Sequence, residues 1–561
     1  MVKTQDRLQQ FSNTFDTAAY LGAFSTLNDE GKESTKNAMM TALNNWCDRL
    51  DVVQTFSGNN KFVDPFDMIS GSVANSLAKK GMAENFSNDL GGIASTNIST
   101  LMLASYYQSY AMSYIAKLEG MTDQKTIYNI QQLRAANDFG VYAQDDTVMD
   151  PRTSPDAMAQ IMGSQVNVHE KEITGATIGT EVDFGMPIRI GTVDMFIQET
   201  GKTDWIKVGF DKPDGYNNGQ IFCRINAAES MAIDYNKGKI TVTTPNTLNG
   251  VAKIKFAAAY DSTKDNTQSQ VPTLYSGNDS ITLNAMGHQF TLNQNLEDIV
   301  HMNKVYAYNK PAGVASSYAQ NTVALLTSLY IRSLDTNIMR TLAQPYLPYI
   351  ASLKENEVFD LTGWTAGGDM NLFEGRMYEL FAHLDVTMAN EADGRRPTCI
   401  VVDSIGAITL MTNRFFKRQG AGVSTSDGFV GTLYGLPVIK SRVLDTFSAE
   451  KYKTDRKGQA NPLNIYDQLK QNLAVDTAAG EAVSIGFVCH KDPGNKEASV
   501  IVGDYIVPWC TSSMPFNNGT VVSHSILCEY ATKLMLPRLA MPLVMKVSAH
   551  PFYKAPDVKV Y

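Results

Sequence analysis

An α+β chain with a β-rich domain inserted between helical regions is predicted from three observations. Apolar residues recur at helical spacing near the N-terminus and again over residues 316–390. Short alternating runs crowd residues 187–260, and residues 397–444 order a strand, a helix, a glycine-rich loop and a second strand. The 561 residues exceed one ordinary core and point to three or four units. With 43% hydrophobic and 19% charged residues, disorder is not expected.

Residues 1 to about 135 read as helical, with amphipathic stretches at Arg7–Leu27, Ser34–Val53 and Thr96–Leu118. In the last stretch Leu103, Tyr106, Tyr110 and Tyr114 share one side, while Leu101, Ser105, Gln108 and Met112 share another. Apolar cover this wide implies contact on more than one side, either with a neighbouring chain or within a small helical domain. The texture then turns polar from Asp145-Asp146 to Pro155. Runs at Pro187–Thr200, Trp205–Phe210, Gln220–Ile225, Lys239–Thr244 and Ala252–Tyr260 follow, separated by turns such as Lys212-Pro213-Asp214-Gly215. They predict a small β domain at about 186–262. Asp261–Asp279 reads as a surface linker, and Ile281–Leu292 as a returning strand.

A long helix is expected over Ser316–Leu342, with Val323, Leu326, Tyr330, Leu334 and Ile338 as its core stripe; it would span about 40 Å. A second runs from Asn371 to Asn390. Cys399–Val402 then reads as a buried strand that ends at Asp403-Ser404, two good N-caps for a helix over Ile405–Lys417. The loop Gln419–Gly428 leads to a turn at Gly431–Pro437 and a strand at Val438–Ser441. Glu450–Asn461 looks charged and mobile, Pro462–Ala474 helical. Strands are expected at Val483–Cys489, Ala498–Val507, Thr520–Leu527 and Leu534–Val547.

Catalytic motifs are incomplete wherever they begin. Gly201-Lys202-Thr203 ends like a phosphate loop, but Phe196 stands where its first glycine belongs. Gly420 and Gly422 open a dinucleotide-type fingerprint that Thr425 breaks. The seven histidines form no HxH or HExxH pair, and the six cysteines lie at long spacings, as expected of reduced core thiols. No cofactor or metal is therefore expected. Acidic pairs such as Asp145-Asp146 and Glu170/Glu172 read as solvated loop charges. A net charge of −9 disfavours tight, sequence-independent DNA binding. The polar interruptions of Ile98–Ala116 argue against a membrane span, and the opening residues lack a secretory apolar run.

The order strand, Asp/Ser-capped helix, glycine-rich loop and Gly431-x-x-x-Gly435-x-Pro437-Val438 turn resembles the axial domain of tailed-bacteriophage major capsid proteins of the HK97-type fold. Val500–Trp509 is similar to a segment of the T-even-like group, although Glu529-Tyr530-Ala531 lacks the arginine common there. The resemblance implies an N-terminal arm at 1–135 and an E-loop at 136–310 holding the inserted β domain. It implies a P-domain with its spine helix at 311–396, an A-domain at 397–533 and a final strand at 534–561 returning to the P-domain. It implies a non-enzymatic subunit forming hexamers and pentamers of an icosahedral head around double-stranded DNA. Scaffold, portal and decoration proteins would be its other partners, with synthesis in the host cytoplasm and residence in the virion.

The same resemblance implies contacts through Asp145, Asp146 and Glu170 in the E-loop. Tyr106, Tyr110 and Tyr114 would lie between subunits, and Gly420, Gly422 and Phe429 at the capsomer axis. Met82-Ala83-Glu84 and Lys117-Leu118-Glu119 faintly resemble a hydrophobic-x-Glu processing site of some such proteins. Two other classes lack obvious motifs equally: a carbohydrate-active hydrolase with a β-rich accessory domain, and a virion tube or sheath protein.

Overall fold

The computed structural model describes residues 27–57, 109–138, 142–152, 168–174, 180–223, 231–242, 251–261, 263–264, 273–295, 297, 318–362, 370–392, 394–418, 427–454, 457–477, 480–512 and 521–548. Two compact units emerge, one of residues 1–128 with 281–561, the other of residues 129–280. Helix and strand are mixed throughout, as an α+β chain requires.

The first unit is built on two sheets. A seven-stranded mixed sheet runs in the order β14 (Phe359–Asp360), β22 (Ala540–Ser548), β19 (Glu481–Cys489), β15 (Cys399–Val402), β18 (Leu436–Lys440), β17 (Gly428–Leu433) and β16 (Lys417–Arg418). All four residues of β15 are buried, the signature of a strand covered on both faces. It lies parallel to β18 and antiparallel to β19. The second sheet orders β1 (Ala116–Gly120), β20 (Val500–Ser512), β21 (Val521–Leu534) and β13 (Met286–Asn295), with β1 parallel to β20.

Eight helices accompany these sheets among the described residues: α1 (Asp29–Ser57), α2 (Tyr110–Tyr114), α3 (Tyr318–Ala343), α4 (Leu347–Ser352), α5 (Met370–Glu391), α6 (Ser404–Met411), α7 (Arg442–Ser448) and α8 (Tyr466–Asn472). Helix α3 lays Tyr330, Leu334, Ile338 and Leu342 into a core shared with Val500, Val502 and Ile526 of the second sheet, and with Leu444 and Phe447 of α7. Its 26 residues include the stripe read from the sequence, of which Tyr330, Leu334 and Ile338 are buried. Helix α1 packs on β1 and β20, and Asn45 ties it there by donating to the carbonyls of Met121 (2.7 Å) and Tyr505 (3.0 Å).

The second unit is one antiparallel sheet of eight strands: β4 (Val168–Ile173), β11 (Val251–Ala259), β6 (Asp194–Glu199), β7 (Ile206–Asp214), β8 (Asn218–Cys223), β9 (Met231–Asp234), β10 (Lys239–Val242) and β5 (Glu181–Asp183). Its core, with Met195, Ile221, Ile233, Tyr235, Ile240 and Phe256 at its centre, is supplied by the sheet and the loops that join its strands. With no described helix beside it, the sheet must curl to bury its own apolar face. A three-stranded ribbon completes the inventory, with β2 (Lys125–Ala135) between β12 (Leu274–Asn284) and β3 (Thr147–Met149).

Several sequence expectations are corrected. Eight strands replace the expected five, beginning at Val168 rather than near 186, because β5 has three residues and β4 is charge-rich. Residues 116–120 and 125–135 are strand, not helix: in the second, β-branched and aromatic residues from Thr126 to Ile130 alternate in exposure and override the helical reading. Leu274–Asp279 is strand rather than linker. The expected strand Ile281–Leu292 is two, broken where the Ala285 amide donates to Gln124 (2.8 Å).

Helix α6 stops at Met411 because the Asn413 side chain accepts from Phe415 N (2.9 Å) and turns the chain, so Lys417 joins a strand. Pro537 opens a 3₁₀ turn that divides the expected strand Leu534–Val547. Within the stretch read as mobile, Asn461 is anchored, donating to the carbonyls of Thr446 (3.2 Å) and Tyr452 (3.1 Å). Helix α8 is shorter than expected, and the stretches 7–26 and 96–108 of the expected N-terminal helices lie outside the described residues.

Candidate subunit contact surfaces

Strands β2 and β12 form a ribbon whose chemistry is mostly local. Ala136 N donates to Thr273 O (2.7 Å), and Gln131 Nε2 to Ser276 Oγ (2.8 Å). Asp145 and Asp146 make the turn from β2 into β3. Asp145 takes a left-handed φ of 71° and accepts from the Tyr275 hydroxyl (2.8 Å), while Asp146 Oδ2 accepts from Ala143 N (2.8 Å). The bond from Tyr275 to Asp145 raises the pKa of that phenol. Arg152 clamps the ribbon by donating to Asp150 (2.8 Å) and to Asp279 of β12. Burial opposes ionisation of Asp150, but the Arg152 bonds outweigh it and hold the carboxyl below its usual range.

This ribbon leaves Leu133, Met149, Leu274 and Tyr275 exposed, each by 36% or more. Apolar side chains on a narrow ribbon are poorly sheltered from water, and short ribbons are marginal alone.

A second apolar surface sits in the first unit, where α5 meets the β17–β18 hairpin. The rings of Tyr378, Phe381 and Phe415 surround Tyr434 at centroid distances of 5.6, 5.7 and 5.8 Å. Tyr378 (63%), Leu372 (56%) and Phe415 (49%) are open to solvent. Tyr434 and Gly435 both take positive φ, 50° and 87°, the two-residue turn that matches strand twist. Arg414 lies over the Phe415 ring and reaches buried Glu374 (2.8 Å). Sequence reasoning missed this patch. The signal was present: Leu372, Tyr378 and Val386 fall off the stripe formed by Phe373, Met377, Leu380, Leu384 and Met388.

The remaining expected contact residues are placed as follows. Tyr110 is buried, its hydroxyl 2.8 Å from Ser441 Oγ, which leaves little of its ring for another chain. Tyr114 stacks on Phe429 at 6.0 Å, so the two fall together on one face. Glu170 pairs with Lys255 (3.2 Å), whose ammonium lies over the rings of Phe196 and Trp205. Tyr106, Gly420 and Gly422 lie outside the described residues.

Inside the first unit, buried carboxylates act as structural joints. Asp403 caps α6 by accepting from Gly406 N (2.7 Å), and it also accepts from Ser484 Oγ (2.7 Å), Ser448 Oγ (3.1 Å) and Ile485 N (3.0 Å). Among the described residues no group of three or more His, Cys, Asp or Glu is arranged to hold a metal. Cys223, Cys399, Cys489 and Cys528 are buried free thiols. An open groove of about 400 Å³ between α1 and β1 is lined by Glu30, Glu33 and Glu119. Glu30 is paired with Lys496 (2.9 Å) and Glu119 with Lys117 (3.1 Å), a solvated charged face rather than an acid–base pair. No described helix is long and apolar enough to cross a membrane.

No family model matches this sequence, and no curated protein matches it. Among solved structures, the chain is similar to the icosahedrally averaged capsid of jumbo bacteriophage PhiKZ. The TM-score is 0.33 and the identity 10%, over 79% of this chain and 92% of the other. It is similar to the mature capsid of bacteriophage PhiM1, with TM-score 0.28 and 10% identity over 50% of this chain and 77% of that one. It is also similar to the holo-SrpI encapsulin complex of Synechococcus elongatus PCC 7942, with TM-score 0.26 and 8% identity over 50% and 81% of the two chains.

Proposed function

We propose that this chain is the major capsid subunit of a tailed bacteriophage, a non-enzymatic protein with the HK97-type fold. It assembles with copies of itself into hexamers and pentamers of an icosahedral head. The observation that carries the reading is the order of parts along the chain. An exposed ribbon is followed by a long helix packed on a sheet, an α/β unit whose hairpin flanks a glycine-rich loop, and a final strand. That strand, β22, pairs with β14 from the 311–396 stretch and with β19 from the 397–533 stretch.

The ribbon takes the place of the E-loop, with Asp145 and Asp146 at its turn and Glu170 in the β domain beyond. In this reading Phe429, on which Tyr114 stacks, is a contact at the capsomer axis, as the sequence also suggests for Gly420 and Gly422. The aromatic patch around Tyr434 joins them as a contact between copies, since exposed rings beside an arginine are typical of surfaces that a partner covers. Scaffold, portal and decoration proteins are the further partners of such a head, which encloses double-stranded DNA; the subunit is made in the host cytoplasm.

Negative-stain microscopy of the purified chain tests the reading. Closed shells or six-fold rings are expected as concentration rises. Single particles persisting at high concentration and across salt conditions would overturn it.

A further inference from the structure

The short helix α2 and the long helix α3 meet at one buried carboxylate, which also feels the charge of Asp427 at the exit of the glycine-rich loop. Asp335 of α3 is 6% exposed and accepts from Ser109 Oγ (2.5 Å) and Ala111 N (3.2 Å), which together cap α2. Both donors converge on Oδ1, so Oδ2 can carry a proton without breaking either bond. No lysine or arginine pairs with it among the described residues. The negative charge of Asp427, at the loop exit, repels it, and Arg442 of α7 donates through Nε to Asp427 (3.0 Å). Tyr110 of α2 is turned to Ser441. Where α3 meets the sheet, Cys528 and Tyr530 are kept uncharged by burial.

We propose that Asp335 is a proton-operated latch: protonated, it holds α2 against α3 and the loop exit, and ionised, it loosens that hold. A lone buried carboxylate is costly unless paired, and the one neighbouring acid repels it. Burial pushes the Asp335 carboxyl up to about 7; the bonds from Ser109 and Ala111 pull the other way, and Asp427 adds to the rise. The folded state thus takes up a proton that the unfolded chain releases near pH 4, so the latch is strongest in acid and weakens as pH climbs through about 7. The proposal does not depend on assembly, since every group in it lies within one subunit.

Hydrogen exchange of the intact chain, read by mass spectrometry on peptides covering Ala111–Ile115 and corrected for intrinsic rates, tests it. Opening is expected to rise at least tenfold between pH 5.5 and 8.5 in the native chain and to stay flat in Asp335→Asn. Asp427→Asn removes the repelling charge and frees Arg442, and should move the midpoint to lower pH. That second variant decides the matter if Asp335→Asn does not fold. A flat native profile, a pH dependence that survives Asp335→Asn, or a midpoint that Asp427→Asn leaves unmoved or raises would each overturn the proposal.

Discussion

Ser484 of β19 donates its hydroxyl to the Asp403 carboxylate across 2.7 Å, linking the centre of the seven-stranded sheet to the residue that caps α6. Both groups are buried, and the carboxylate takes three further donors, so strand, helix and the α7 segment are fixed to one another at a single side chain.

That joint should be visible in pH. Burial pushes the Asp403 carboxyl up to about 6, against the pull of Ser484, Gly406 and Ile485 and with a small push from Asp445. A folded pKa above the unfolded value of roughly 3.9 gives stability that is full below that value and lost as pH rises through about 6. Thermal midpoints measured from pH 4 to 7 should fall across this window in the native chain and fall less in Asp403→Asn. The variant itself turns an amide group toward two donors and should be less stable by about 1–3 kcal/mol at pH 7. Ser484→Ala should cost about 1 kcal/mol.

Arg152 is the clamp of the ribbon. Its bidentate bond to the sheltered Asp150 carries more weight than the bond to the more exposed Asp279. Arg152→Ala should speed amide exchange across Leu274–Ser280 by about tenfold, leaving the sheets of the other unit unchanged. Unchanged exchange would show that backbone pairing alone holds the ribbon.

Gly238 takes φ 66°, and a Cβ there would fall within 1.8 Å of the Met186 carbonyl oxygen. Gly238→Ala should therefore cost several kcal/mol in the β-rich unit, roughly the ~1–3 kcal/mol of a forced left-handed residue plus the clash. In a calorimetric scan, one transition should drop while the other keeps its midpoint.

The aromatic patch offers a test of assembly that spares the fold. Tyr378 and Phe415 are largely exposed, so Tyr378→Ser with Phe415→Ser should shift the thermal midpoint by no more than a few degrees. The concentration at which large particles appear in light scattering should rise at least tenfold. Assembly at the native threshold would remove this patch from the contacts between copies.

Much of the fold is legible in the sequence because its signals are long or local. Helix α3 follows from a stripe running from Val323 to Ile338, and the buried strand β15 with its Asp403 cap follows from four apolar residues ending on a good capping residue. The failures share a cause. Ala116–Gly120 becomes a strand only because Val500–Asp504 runs parallel beside it, a pairing nearly 400 positions away that no local pattern announces. Asp335 looks in sequence like an ordinary charge on the outer face of its helix, and only the approach of Ser109 encloses it. Tyr378 falls off the apolar stripe of its helix, but its grouping with Phe415 around Tyr434 depends on a hairpin turn more than fifty positions away that no local pattern places beside it.

The chain enters and leaves the β-rich unit side by side: Ala136 N bonds to Thr273 O, and Asn137 Oδ1 accepts from Thr273 N. Termini this close make the intervening stretch a removable cassette. Replacing residues 138–272 with a tight Asn-Gly turn would leave a plain hairpin, and splicing a foreign domain with adjacent ends at the same junction would give a subunit that carries a passenger of the experimenter's choosing.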